Sequence, residues 1–79
     1  MEHIATFYSH FAAISYKAKC KQKGITARLM PVPRSLSSSC GTCVSYEGEP
    51  IIPDDDSWEV EGVYRIENGE YKSVYLAEG

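Results

Sequence analysis

The chain has 79 residues, 43% of them hydrophobic and 24% charged, with a formal net charge of −3. That length allows one domain with a thin core, since so small a chain buries only roughly 60% of the surface its unfolded form exposes, and the composition is too apolar for a disordered chain. The acidic balance, with no continuous basic face along the helix lysines, argues against a nucleic-acid partner, and no apolar segment of signal-peptide or membrane-span length is present.

Three cysteines are an odd number and too few for a disulfide framework. The expected compartment is the cytoplasm, where thiols stay reduced and paired cysteines more often serve metal binding or catalysis than structure.

In chain order, Ile4 to Tyr8 is an apolar, aromatic run that reads as a buried strand. Ser9 is suited to an N-cap, and the Ala- and Lys-rich stretch from His10 to Lys23 has good helix propensity, ended by Gly24 at C′. Of two competing stripes, Ala13, Tyr16 and Cys20 is favoured as the buried face over Phe11, Ile14 and Ala18, because Lys17 and Lys21 flank the second. Ile25 to Val32 alternates loosely before two prolines that give the strand a rigid exit. Thr42 to Glu47 alternates as a third strand, with Cys43 on the face opposite Val44.

The stretch 48–58, with two prolines and Asp54-Asp55-Asp56, reads as an irregular connection; the aspartates lack calcium-loop spacing. Trp58 is expected to lid the core. Val60 to Glu67 and Glu70 to Ala77 flank Asn68-Gly69, a strong hairpin signal, in a register that sets Ile66 against Tyr71 and Val63 against Val74.

The expected fold is therefore α+β, a single domain over 1–79: a β-α-β-β core at 1–47, the connection at 48–58 and a hairpin at 59–77, forming a mainly antiparallel sheet with one helix on one face. It is a truncated ferredoxin-like arrangement. A right-handed split crossover leaves room for the third strand between the first two, antiparallel to both. Ser9 and His10 would then lie beside Cys40 and Gly41, where the helix N-terminus, with Arg34 adding to the field, would lower a thiol pKa.

Cys40-Gly41-Thr42-Cys43, after a serine-rich approach ending in Ser39, is the only cluster with obvious covalent chemistry. Cys40 is the candidate nucleophile and Cys43 a candidate resolving thiol, although strand alternation aims Cys43 away. A metal reading would combine Cys40, Cys43 and His10, yet the second ligand pair of a structural zinc site is missing. No metal or cofactor is assigned.

Three stretches carry a resemblance: Ser9-His10-Phe11-Ala12-Ala13, Arg28-Leu29-Met30-Pro31-Val32-Pro33-Arg34 and Leu36-Ser37-Ser38-Ser39-Cys40-Gly41. Over about the first half of the chain these are similar to a small bacterial domain, the selenium/sulfur carrier protein-like family. The resemblance implies a sulfur-handling role, with Cys40 at the family cysteine and Ser9, His10 and Arg34 at polar motif positions. It implies sulfur donor and acceptor proteins as partners. The sequence departs from the family pattern in its early Cys43 and in the Pro/Asp-rich link that replaces a second helix. The alternative function is a non-catalytic interaction domain, or homo-oligomer, pairing through the free edge of its C-terminal hairpin.

Overall fold

The computed structural model describes residues 1–78. In chain order it contains β1 (Glu2–Phe7), α1 (His10–Gln22), β2 (Ala27–Pro31), β3 (Thr42–Glu47), a 3-10 turn (Asp56–Trp58), β4 (Val60–Glu67) and β5 (Glu70–Leu76). The strands form one antiparallel sheet ordered β2-β3-β1-β4-β5, so β3 inserts between the strands that precede it, as a split crossover requires.

Local chemistry sets the helix ends. The Ser9 side chain accepts the Ala12 amide, and extended backbone at Ser9 turns the chain out of β1. At the other end Gly24 takes φ +76°, its amide bonding Lys21 O at 3.0 Å while Ile25 N bonds Cys20 O at 2.9 Å. Those paired bonds satisfy carbonyls the helix would otherwise leave open, and only glycine adopts the φ they need without strain. The buried face carries Ala12, Ala13, Tyr16 and Cys20, whereas Phe11 and Ile14 are 76% and 46% exposed.

Alternation assigns the sheet's two faces. Ala5, Phe7, Val44, Tyr46, Val60 and Val63 meet the helix in the core, with Phe7 and Tyr16 edge to face at 5.2 Å. Ile4, Thr6, Cys43 and Ser45 point to the other face and are buried there without a helix above them. Gly62, paired with Thr6, matters on that face: a Cβ there would stand 3.0 Å from the Tyr64 hydroxyl.

The 48–58 connection is irregular apart from the 3-10 turn, but it is tied into the core. Tyr16 Oη donates to Ile51 O at 2.7 Å, so Tyr46 Oη donates to Tyr16 at 2.8 Å and accepts the Ile51 amide at 3.0 Å. Every hydroxyl in this buried set is satisfied, which is the condition for burying it without penalty. Trp58 closes the rim, edge-on to Tyr16 at 6.2 Å with Lys19 Nζ 4.7 Å from its ring centre.

The hairpin turns at Asn68 and Gly69, both with positive φ, and Ile66 faces Tyr71. Val63, however, faces Tyr75 and not Val74, because a bulge between Val63 and Tyr64 shifts the register. Turn chemistry fixes pairing near the turn; a bulge farther along leaves no signature in the residue types. A second bulge, between Thr6 and Phe7 on β1, leaves Glu61 as the extra residue of β4.

Candidate functional site

The loop from Val32 to Gly41 leaves β2, crosses the end of the sheet and returns into β3. Its anchors are specific. Val32 N bonds Gly41 O at 3.2 Å and closes the base. Ser38 Oγ donates to Phe7 O at 3.0 Å, and the Ser39 amide and hydroxyl donate to the two Glu61 carboxylate oxygens at 2.8 and 2.9 Å. Charge-assisted bonds of this kind outweigh neutral ones, so Glu61 is the strongest tether of the loop. The β4 bulge supplies that residue as an extra position, re-aimed out of the regular alternation.

Cys40 stands at the loop's return, half-buried, packed against the helix-side core. Its thiol donates to Thr42 O at 3.3 Å and lies 4.0 Å from Ser38 Oγ. Gly41, at φ +73°, turns the chain into β3 in a conformation glycine alone adopts freely. His10 Nδ1, in the first turn of α1, lies 3.3 Å from Thr42 Oγ1. That contact sets the helix N-terminus beside the start of β3, whereas the hydrogen-bond partners of the Cys40 thiol among the described residues are Thr42 O and Ser38 Oγ, not an amide of the first helical turn.

Cys43 is placed differently. Its register partners are Met30 and Thr6, on the face away from the helix, and it is fully buried with its thiol 3.6 Å from Pro31 O. Burial, with Cys40 adding a smaller repulsion, pushes its pKa up to about 11. Cys20 is pushed to about 11 by burial as well and sits in the core. All three thiols are free.

The remaining candidates divide. Ser9 caps α1 and also donates to Glu59 Oε1 at 2.7 Å, tying the helix start to the segment before β4. Arg34 is exposed in the turn after Pro33, and among the described residues it forms no hydrogen bond or ion pair. Ser38, Thr42 and Glu61 were not singled out by sequence reasoning, although they touch or tether Cys40. Ser38 lay inside the motif; Glu61 depends on a bulge. Among the described residues no cluster of three or more His, Cys, Asp or Glu side chains is placed to hold a metal, so Cys40, Cys43 and His10 do not converge as ligands.

The model of the family described as "Putative Se/S carrier protein-like" matches residues 2–76. The chain belongs to this family. Membership thus extends well beyond the first-half motifs and takes in the Pro/Asp-rich link and the hairpin. No curated protein and no solved structure matches the chain. A carrier-like family implies partner proteins in general, and among the described residues no helix is long and apolar enough to cross a membrane.

Proposed function

We propose that this Se/S carrier-like protein carries sulfur, or selenium, on Cys40. The observation behind this reading is the contrast among its thiols: Cys40 stands half-buried on a tethered loop at the sheet's rim, while Cys20 and Cys43 are fully enclosed.

In the forward step the Cys40 sulfur attacks the outer sulfur of a donor persulfide. The donor S–S bond breaks as the Cys40 S–S bond forms, and the Cys40 proton leaves with the donor thiol, so no external oxidant is needed. Passing the outer sulfur to an acceptor thiol reverses the same exchange and returns Cys40 to the thiol. A rigid loop favours this because the sulfur is presented without first being ordered. Resolution by Cys43 is disfavoured, since a buried thiol with a pKa of about 11 supplies little thiolate at neutral pH.

The test is intact mass after incubating reduced protein with a cysteine desulfurase and cysteine. Wild type and Cys43→Ser are expected to gain the mass of one sulfur atom, lost again on adding a thiol acceptor, and Cys40→Ser to gain none. Sulfur addition to Cys40→Ser, or none to wild type, would sink the proposal. The pairing-module alternative through the exposed β5 edge predicts concentration-dependent association without sulfur uptake.

A further inference from the structure

Charge is divided along the chain. Residues 3–46 contain Lys17, Lys19, Lys21, Lys23, Arg28 and Arg34 and not one Asp or Glu; ten of the 11 acidic residues lie from Glu47 onward. α1 and β2 come wholly from the basic stretch, so their own side chains carry cations and no carboxylate, and Glu49 of the following acidic segment lies beside Lys23 and Ile25.

At the β2 edge of the sheet α1 packs against β2 but leaves an opening to solvent. A groove of about 630 Å³ lies between them, lined by Ile14, Ala18, Ile25 and Ala27 with Lys17 and Lys21 on the helix rim. Neither lysine is in an ion pair among the described residues. Phe11 and Leu29, 76% and 37% exposed, add apolar surface on the same two elements.

The outer edge of β2 carries free backbone groups in a defined pattern. Val32 N bonds Gly41 O, so the even-numbered residues of β2 direct their amides and carbonyls to β3 and the odd-numbered ones direct theirs outward. Ala27 and Leu29 therefore present donors and acceptors at the edge, whereas Pro31, the next outward position, has no N–H to give. A strand added here can bond at two residues and must stop at the proline. Pro31 pairs with Thr42, so that stop lies beside the Cys40 loop.

We infer that the α1–β2 groove docks an extended acidic segment of a partner protein, added as a sixth strand on β2. An apolar side chain of the segment covers Ile14, Ala18 and Ile25, its carboxylates meet Lys17 and Lys21, and its backbone bonds Ala27 and Leu29. Charge favours this edge over β5, where Lys72 is paired with Glu70 and Arg65 on neighbouring β4 with Glu67, so that neither cation is free to meet a carboxylate.

The probe is a blocked synthetic peptide alternating Glu and Val, titrated into isotope-labelled full-length protein and followed by amide chemical shifts. Shifts are expected at Ala27, Leu29, Ile14, Lys17 and Lys21, with half-saturation below about 1 mM and weakening as salt rises. The Lys17→Glu/Lys21→Glu double variant, changed only at exposed positions, is expected to lose roughly tenfold or more in affinity. A peptide N-methylated at alternate residues is expected not to bind. Cys40→Ser should bind as wild type does, which separates this inference from the sulfur reading. Shifts on Glu70–Leu76, no shifts, or equal binding of a Lys/Val peptide would overturn it.

Discussion

Cys40 and Cys43 share a four-residue motif but not an environment, because Gly41 turns the chain into β3 between them and strand alternation sends Cys43 to the far face. One thiol is left at the rim with Ser38 and Thr42 for neighbours; the other is enclosed. His3 is a second residue whose setting has consequences. It is 1% exposed and stacked on Tyr46 at 5.5 Å, and neither ring nitrogen has a partner at hydrogen-bond distance among the described residues. Burial, with the α-amino group and Arg65 as like charges, lowers its pKa from 6.5, and the nearby Gly48 and Met1 carbonyls oppose this only in part. Well above pH 6.5 the ring is neutral in both folded and unfolded chains and adds no pH dependence; as pH falls through that value the unfolded chain binds a proton the folded one refuses. Urea denaturation is therefore expected to show stability falling on the acid side of neutrality in wild type, and a flatter profile there in His3→Phe. An unchanged slope in the variant would remove His3 as the cause.

At the scale of elements, the Val32–Gly41 loop has no regular structure of its own and takes its order from other parts of the chain. Glu61 holds Ser39 by two bonds, so Glu61→Ala is expected to cost about 1–2 kcal/mol and to speed hydrogen exchange across Ser37 to Gly41 while leaving β1 and β3 protected. Exchange as slow as in wild type would show that Ser38 and the Val32–Gly41 bond suffice. The helix, its caps and the hairpin turn were legible because each rests on neighbours in sequence: Ser9 before an alanine-rich run, Gly24 after it, Asn68-Gly69 between alternating strands. The two bulges were not, since they arise where three strands must share one twist. That is why Val74 lost its expected partner and why Glu61 escaped notice.

For the whole molecule, the order β2-β3-β1 followed from handedness and from two prolines that bar Pro31 to Pro33 from a central position, whereas the pairing of β4 with the other side of β1 had no local signal. Cys40 was legible from its motif, but the tethers around it were not, because Phe7, Glu61 and His10 reach its neighbours Ser38, Ser39 and Thr42 only after the sheet has formed. The charge division was present in the sequence yet gained meaning only once α1 and β2 shared an edge, where it borders an open apolar groove. The Cys40 loop and the edge proposed for docking meet at one end of the sheet, through the pairing of Pro31 with Thr42. All of this assumes a single accessible thiol. Brief alkylation of the folded, reduced protein at neutral pH, mapped cysteine by cysteine, measures it directly. Label is expected on Cys40 first, with Cys20 and Cys43 reacting only after denaturant is added; modification of Cys43 or Cys20 as fast as Cys40 would contradict the account.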